Sequence, residues 1–261
     1  MKLTPRQRRG RRALKRFMYS MLYMRDMFQL MLGRAKPLVP FKVEPDPPSI
    51  YLNWELDPAR VAELQAELDL PFPLAKIRCV AGEEAFYCLT LNIYRVSGLT
   101  NGIRAEWSLY IEDPDGQPRY MVVEAQADAG SLDSVDLFTQ PAEVTHREEG
   151  DTLASVAASD EGGRFESTIT NRERGPLVDL HGEWVEANDY IYWRSGVCDR
   201  TFYDSGLARP TARLVEAAQI KWTDTTRWNG IVRGEPRHVI VFENAIEFAM
   251  SPWWNVDELP D

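Results

Sequence analysis

The stretch at residues 103–111, "IRAEWSLYI", alternates apolar and polar side chains along its whole length. In an extended chain, one side carries the apolar row Ile103, Ala105, Trp107 and Leu109. The other side carries the polar row Arg104, Glu106, Ser108 and Tyr110. This period of two predicts a β-strand. The side that faces the interior decides whether the polar row meets water or lines a cavity.

Strand patterns of the same kind recur through most of the chain. They cover residues 76–80, 84–96, 119–127, 152–158, 164–170, 180–187, 190–195, 215–225 and 237–249. The connecting stretches "EDPDGQP", "SDEGG" and "NRERGP" supply the Gly, Pro and Asp residues that turns require. About ten mostly antiparallel strands are too many for a flat open sheet. The pattern therefore predicts an α+β, mainly antiparallel β fold that closes into a barrel or cone.

One helix is predicted within this body. In "LDPARVAELQAEL", residues 56–68, Asp57 is placed to cap the helix and Pro58 to occupy its first position. Val61, Leu64 and Leu68 then share one face, which we expect to pack on the sheet.

The composition is that of a folded globular protein, since 44% of the 261 residues are apolar and 27% are charged. The three cysteines, Cys79, Cys88 and Cys198, form no CxxC pair. The three histidines, His146, His181 and His238, lie on separate segments. This spacing predicts no disulfide framework, no metal site and no other cofactor. It favours a reducing, cytoplasmic compartment.

Charge divides the chain into two unequal parts. Residues 1–42 contain twelve Lys and Arg against one Asp, a net charge of +11. The remainder contains 18 Lys and Arg against 39 Asp and Glu, a net charge of −21. Because an acidic body repels phosphate backbones, nucleic acid is disfavoured as a partner.

Residues 10–33 predict an amphipathic helix near the start of the chain. Its apolar run from Phe17 to Leu32 is short for a bilayer and contains Arg25 and Asp26, so we expect no membrane span. No small-residue cleavage site follows it, which disfavours secretion. Three roles stay open for this helix: docking on the protein's own core, contact with an anionic membrane surface at the inner face of the membrane, or binding of a partner protein.

Proline content marks the end of this N-terminal region, because five prolines fall within residues 36–50. Such a segment runs extended. The sequence thus divides into a basic arm and helix at residues 1–36, a Pro-rich linker at 37–47 and a β-barrel domain at 48–261. We expect the protein to form a homo-oligomer.

The order of these elements resembles that of acetoacetate decarboxylases and their relatives, over roughly residues 48–258. The resemblance is carried by the stretches "LDPARVAELQAELDLPF", "GLTNGIRAEWSLYI", "GQPRYMVVEAQADAGSLDSVDLFTQPAEVTHREEGDTLASVA", "LVEAAQIKWTDTTRWNG" and "NAIEFAMSPWWNVDE". It implies a helix after an opening strand, followed by a β-cone barrel that encloses a small pocket.

Decarboxylases of that family form a Schiff base on a lysine in a Pro-Lys-Lys-like segment, where a second cation and an apolar wall depress the pKa of the amine. The matching stretch here, "SVDLFTQPAEV" at residues 134–144, contains no lysine. Of the six lysines in the chain, Lys76 and Lys221 lie in the body, and the resemblance assigns a nucleophile to neither. We therefore expect a divergent member of the superfamily that lacks imine chemistry.

The resemblance also implies a glutamate on the strand of "IRAEW", here Glu106. Arg104 lies on the same side of that strand, and Glu124 and Gln126 lie on the polar side of residues 119–127. If these rows face inward, Glu106, Arg104 and Glu124 are the candidate catalytic groups, able to bind an acid or move a proton. The predicted ligand-binding residues are Trp107, Tyr120, Gln126, Tyr192, Trp193 and Trp222. If the polar rows instead meet water, they pair across strands, and the aromatic residues fill the core.

These features leave three classes of function open. The first is an enzyme with lyase-like acid–base chemistry on a small carbonyl or carboxylate compound. The second is a non-enzymatic carrier of an apolar metabolite, and the third is an accessory subunit docked through its N-terminal helix. We favour an acetoacetate decarboxylase-like barrel with an internal small-molecule pocket, peripheral to a membrane or bound to a partner, and leave its enzymatic status open.

Overall fold

The computed structural model describes Met21 and residues 42–70, 72–97, 102–113, 116–128, 138–181, 184, 189–194, 197–198, 201–204, 212–243, 248–249 and 254–255. The helix predicted at residues 10–33 therefore lies outside the described residues, except that Met21 is helical and exposed. Among the described residues, no helix has both the length and the hydropathy that crossing a membrane requires.

One α-helix and seventeen strands are described. Helix α1 is Val61–Glu67. The strands are β1 (Lys42–Glu55), β2 (Lys76–Ile77), β3 (Phe86–Ser97), β4 (Gly102–Glu112), β5 (Pro118–Ala127), β6 (Phe138–Pro141), β7 (Glu143–Glu149), β8 (Thr152–Ser159), β9 (Gly163–Ile169), β10 (Asp189–Arg194), β11 (Val197–Cys198), β12 (Thr201–Asp204), β13 (Ala212–Val215), β14 (Ile220–Asp224), β15 (His238–Phe242), β16 (Phe248–Ala249) and β17 (Trp254–Asn255).

The strands form two sheets. The large sheet has the order β13-β15-β1-β3-β4-β5-β10-β12-β17, and β16, β2, β6 and β11 pair with β1, β3, β5 and β10 respectively. The small sheet has the order β14-β9-β8-β7. The described pairings are antiparallel except those of β5 with β6 and with β10, which confirms the mainly antiparallel prediction. No described pairing joins β13 to β17, so closure into a barrel stays a prediction.

One face of the large sheet, which we call the packed face, forms the main apolar core. It carries Trp54 of β1, Leu91 of β3 and the apolar row of β4. These residues pack against Phe165 and other apolar residues of the small sheet, and against Leu64 of α1. The amphipathic pattern of α1 is thus used as predicted, and the small sheet covers what would otherwise be a large exposed apolar surface.

The opposite face of the large sheet, which we call the polar face, is also buried. Because successive residues of a strand point to opposite sides, it carries the alternate positions of the same strands. Its polar members are Ser49, Tyr51, Asn53, Thr90, Asn92, Tyr94, Arg104, Glu106, Ser108, Tyr110, Tyr120 and His238. Residues 75–80, residues 178–180 and Trp184 lie over part of this face, where Ile77, Cys79 and Trp184 join Tyr51 and Phe242 in a second apolar cluster.

Three local predictions differ from the structure. The body helix begins at Val61, and the Asp57 carboxylate instead accepts a hydrogen bond from the Ala59 amide in the turn before it. Of the strand predicted at residues 180–187, only residues 180, 181 and 184 are described; Leu180 forms a bridge with Val80, and Trp184 is helical. Strand β7 was not predicted, because the exposed side chains of "EVTHREE" hide the alternation of an edge strand.

Strand β1 begins before the predicted start of the β-barrel domain, and the division of the chain into an arm, a linker and a domain stays a prediction. The strand begins at Lys42, within the segment predicted as a linker at residues 37–47, and its residues 44–46 pair with β3. A Pro-rich segment is compatible with this position because the register with β3 is interrupted between Asp46 and Ile50, where the prolines at positions 47 and 48 have no amide hydrogen to contribute.

Candidate functional site

Arg104 and Glu106 form the centre of the candidate site on the polar face. Their side chains are only 2% and 6% exposed, and the Arg104 Nη1 atom lies 4.0 Å from the Glu106 Oε1 atom. The same carboxylate oxygen accepts a hydrogen bond of 2.8 Å from the Tyr94 hydroxyl. Antiparallel pairing creates this cluster, because β3 places Tyr94 opposite Arg104 and Asn92 opposite Glu106.

A buried ion pair of this kind is costly to maintain. Removing two charges from water is penalised by several kcal/mol per ion, and attraction between them offsets this only in part. Apolar residues of similar volume would often give the same or greater stability at such a position. A charged pair buried at such a position is therefore more readily explained by binding or proton transfer than by folding.

Four tyrosines, of which Tyr51, Tyr94 and Tyr110 are buried and Tyr120 is partly buried, lie on the polar face. Burial raises the pKa of Tyr94, and the nearby Glu106 charge raises it further. Burial is also the main cause of the raised pKa of Tyr51, Tyr110 and Tyr120. Their hydroxyl groups therefore stay protonated at neutral pH and can donate hydrogen bonds. The rings of Tyr110 and Tyr120 meet edge to face at 5.4 Å between centroids.

The polar face also contains buried polar atoms whose hydrogen-bonding capacity is unused. Within the described part of the chain, no partner is found for Ser49 Oγ, Asn53 Nδ2, Asn92 Oδ1 and His238 Nδ1. Each such atom would pay a desolvation penalty of about 1–3 kcal/mol if it stayed unpaired. Polar atoms left open inside a protein are therefore suited to contact a ligand or an ordered water molecule.

The structure does not bring Glu124 and Gln126 together with Arg104 and Glu106. The register of β4 with β5 pairs Glu124 with Trp107 and Gln126 with Ala105, so both polar residues lie on the packed face. There the Glu124 Oε2 atom accepts hydrogen bonds from Trp228 Nε1 at 3.1 Å and Arg227 Nε at 3.0 Å. Burial raises the pKa of Glu124, and the Arg227 charge opposes this rise. Gln126 Nε2 donates to Ser159 Oγ at 3.2 Å.

The aromatic residues predicted to bind a ligand are divided between the two faces. Trp107 lies in the main core, with ring centroids 5.9 Å from Trp54 and 6.0 Å from Trp228. Trp222 is partly buried and stacks on Phe165 of the small sheet. Both tryptophans thus pack in or against the main core, and their predicted role in ligand binding stays a prediction. Tyr120 lies on the polar face.

The two remaining ligand-binding predictions fall on β10. Its backbone pairs Tyr192 with Val122 of β5, and Trp193 with Cys198 of β11. The side chains of Tyr192 and Trp193 lie outside the described part of the structure, so their role stays a prediction.

The described lysine side chains are exposed to solvent. Lys76 of β2 is exposed and lies 5.3 Å from the ring centroid of Tyr87. Lys221 is exposed on β14 of the small sheet, where it pairs with Thr168. Strand β6, within the lysine-free stretch at residues 134–144, pairs with Ala125 and Ala127 of β5, beside the strand that carries Glu106.

Sequence reasoning did not select Tyr51, Asn53, Asn92, Tyr94 or His238 as site residues. The signal that identifies them is alternation, since "SIYLNW" and "TLNIY" place polar and apolar residues in turn, as "IRAEW" does. Only pairing of the strands shows that these rows share one face. The described residues contain no group of three or more His, Cys, Asp or Glu side chains arranged for a metal ion.

Comparison with known proteins identifies the fold. No family model matches the sequence, and no curated protein sequence matches it significantly. The structure of acetoacetate decarboxylase from Legionella pneumophila subsp. pneumophila str. Philadelphia 1 matches with a TM-score of 0.51 over 85% of this chain and 90% of that chain. The fold is that of acetoacetate decarboxylase.

This similarity confirms the resemblance read from the sequence as one of fold. Sequence identity with the Legionella pneumophila protein is 14%. A further acetoacetate decarboxylase structure matches with a TM-score of 0.49 and 11% identity over 85% of this chain and 91% of that chain. Since a fold alone does not fix chemistry, the activity has to be argued from the residues of the site.

Proposed function

We propose that the polar face encloses a binding site for a small carboxylate or carbonyl compound, and that the protein acts on or carries this compound without forming an imine. The observation that carries the proposal is the buried cluster of Arg104, Glu106 and Tyr94. Full closure of the sheet into a cone around this face belongs to the same proposal.

Arg104 gives the site its affinity for a carboxylate. A guanidinium group presents several N–H donors in a planar fork that matches the two oxygens of a carboxylate. Because the group is buried, its attraction for a ligand anion is weakened little by solvent. Glu106 lies beside Arg104 and can take a proton from a bound ligand. The Tyr94 hydroxyl donates a hydrogen bond to the Glu106 carboxylate and holds it in place.

The absence of an amine on this face, among the side chains that the structure describes, supports a chemistry without imine formation. Schiff-base formation needs a deprotonated amine, and the guanidinium group of Arg104 cannot supply one because arginine stays protonated in proteins. We expect borohydride reduction in the presence of acetoacetate to leave the mass of the protein unchanged. A reduced adduct on Lys76 or Lys221 would contradict this part of the proposal.

Carboxylate binding is tested by titrating wild-type protein with acetoacetate, butyrate and hexanoate in a calorimeter. We expect the substitution Arg104→Lys to weaken binding roughly 10- to 100-fold, since the planar fork is lost. The double variant Arg104→Met with Glu106→Gln removes both charges and so leaves no buried charge unpaired.

The matched control is Arg164→Met, which removes an exposed arginine of the small sheet that pairs with Glu143 and Glu166. It should bind every carboxylate as wild type does. Equal affinity of the wild-type protein and both Arg104 variants for all three compounds would show that the cluster is not a carboxylate site.

A further inference from the structure

His238 and Asn53 lie at one end of the polar face, away from Arg104. They are cross-strand partners on β15 and β1, which places their Cα atoms about 4.5–5.5 Å apart. Asn53 is fully buried and His238 is 2% exposed. Their row continues across the sheet through Thr90 and Ser108, and Arg104 is four positions from Ser108 along β4.

Each of the two side chains is held on one side by a hydrogen bond. The Thr90 hydroxyl donates to Asn53 Oδ1 at 2.8 Å, which fixes the orientation of the amide. His238 Nε2 lies 2.7 Å from Glu83 Oε2. Since a carboxylate only accepts hydrogen bonds, Nε2 carries the hydrogen, and in a neutral ring Nδ1 is left as an acceptor.

The remaining polar atoms of the pair are complementary to each other but have no partner among the described residues. Asn53 Nδ2 is a donor, and His238 Nδ1 is an acceptor. Both atoms are inaccessible to bulk solvent, and the Phe86 ring centroid lies 5.8 Å from that of His238. A group that both donates and accepts one hydrogen bond would satisfy them together.

Burial favours the neutral ring of His238. Burial lowers the pKa of His238, the Glu83 carboxylate opposes this, and the Arg237 guanidinium adds to the lowering. Glu83 and Arg237 are both about one-third exposed and lie at the rim, where Arg237 also stacks over Phe86 at 4.3 Å. A carboxylate on one ring nitrogen and an open second nitrogen is also how proteins orient a histidine that contacts a substrate.

We propose that His238 Nδ1 and Asn53 Nδ2 form a hydroxyl-binding pair, which takes the alcohol group of a ligand on the polar face. The ligand hydroxyl donates its hydrogen to Nδ1, and its oxygen accepts from the Asn53 amide. This inference deepens the proposed function and rests on it, because the ligand is the one proposed to bind on the polar face. It adds a second polar contact, which is about three strand spacings across the sheet and four residues along β4 from Arg104, or roughly 20 Å for His238.

The test is to titrate hexan-1-ol and hexanoate into full-length wild-type protein and two variants. His238→Gln retains a donor toward Glu83 but removes the Nδ1 acceptor. We expect it to weaken hexan-1-ol binding about tenfold and to leave hexanoate binding unchanged. Arg104→Lys should show the opposite pattern, with weaker hexanoate binding and unchanged hexan-1-ol binding.

This crossed design separates the two proposals. In one outcome, only Arg104→Lys loses hexanoate binding, and hexan-1-ol binds equally to wild type and His238→Gln. This result would overturn the hydroxyl-binding pair, and the two open atoms would then contact an ordered water molecule. Hexanoate affinity that is independent of Arg104, with hexan-1-ol affinity dependent on His238, would instead overturn the proposed carboxylate site.

Two further measurements guard against a folding defect in His238→Gln. Asn53→Asp keeps an oxygen for the Thr90 hydroxyl but removes the amide hydrogens, and it should also lose affinity for hexan-1-ol. In the ligand-free wild-type protein, nitrogen-15 NMR of labelled histidine should show His238 neutral with its hydrogen on Nε2. If the spectrum shows the hydrogen on Nδ1, the proposal is contradicted before any ligand is added.

Discussion

His146 is a single residue that joins the two sheets. Its ring, 2% exposed, lies on β7, with Nε2 2.7 Å from the Pro48 carbonyl oxygen of β1 and Nδ1 2.8 Å from Ser155 Oγ of β8. A carbonyl only accepts, so Nε2 carries the hydrogen and Nδ1 accepts from the serine. This histidine is therefore a neutral structural group, in contrast to His238, whose Nδ1 is open.

The neutral state of His146 predicts a loss of stability in mild acid. Burial is the main cause that lowers the pKa of His146, from 6.5 to about 4. Below pH 6.5 the unfolded chain takes up a proton that the folded protein does not, so the free energy of unfolding falls as pH drops from about 6.5 toward 4. Between about pH 7 and about pH 5.5, this residue should account for a loss of roughly 1 kcal/mol.

Urea unfolding of wild type and of His146→Gln at both pH values measures this contribution. The variant is expected to be less stable at neutral pH, because two buried hydrogen bonds are disturbed. Its stability should nevertheless fall less steeply with pH than that of wild type. Equal slopes in the two proteins would show that His146 titrates normally in the folded state.

At the same scale, the sequence predicted the pairing of Arg104 with Glu106 but not the separation of Glu124 from them. Two residues on one strand share a face whatever the fold, so the alternation in "IRAEW" is sufficient for the first pair. The face on which Glu124 lies depends on the register between β4 and β5. This register contains a bulge at Val123, since Trp107 pairs with Glu124 and Ser108 with Val122. Such an irregularity leaves no signature in one sequence.

Strand β9 is an element whose position depends on one glycine. Gly163, its first residue, has φ +75°, and a Cβ atom there would lie 2.6 Å from the Thr225 carbonyl oxygen. This close approach allows Thr225 N to donate to Arg164 O at 2.9 Å, at the end of the β9–β14 pairing. Any larger residue would strain the backbone and push the two strands apart.

We therefore expect Gly163→Ala to destabilise the protein by about 2–4 kcal/mol, from the positive φ together with the steric clash. The matched control is Gly150→Ala, in the β7–β8 turn of the same sheet. Gly150 has φ +60° but no atom within 4 Å of the added Cβ, so only the strain of about 1–2 kcal/mol applies. Urea denaturation of both variants measures the difference. Equal losses would mean that the clash with Thr225 is relieved by relaxation.

Among the elements, the long strands and α1 could be predicted because their periodicity extends over seven or more residues. The edge strand β7 and the short strands β11, β12 and β13 could not. They contain two to seven residues, and pairing with a neighbour stabilises them more than their own side chains do. The buried state of both faces of β4 was likewise unpredictable, because the small sheet that covers its packed face comes from residues more than thirty positions away.

On the scale of the whole molecule, the fold could be recognised from element order and the site only in part. A fold tolerates 14% identity because packing needs apolar residues of suitable size at alternating positions, whereas chemistry needs particular atoms. Strand β6, for example, pairs with β5, while the stretch at residues 134–144 that contains it has no lysine. The homo-oligomeric state and the cytoplasmic location stay predictions.

The partition of charge leads to a prediction about membranes. Residues 1–16 contain eight Lys and Arg, ahead of the apolar run that starts at Phe17. Each basic residue near an anionic surface contributes about 1 kcal/mol, and the acidic body, with a net charge of −21 beyond residue 42, is repelled by it. We propose that the N-terminal region binds anionic bilayers and holds the body at their surface.

Full-length protein should therefore sediment with vesicles that contain phosphatidylserine but not with vesicles of phosphatidylcholine alone, and salt should release it by screening. Removal of residues 1–36 should abolish sedimentation. A full-length variant with Arg8, Arg9, Arg11 and Arg12 replaced by Gln should weaken it while keeping the apolar run. If the truncated and full-length proteins sediment alike with both kinds of vesicle, the N-terminal region does not bind membranes. Its predicted helix would then dock on the protein's own core or on a partner chain.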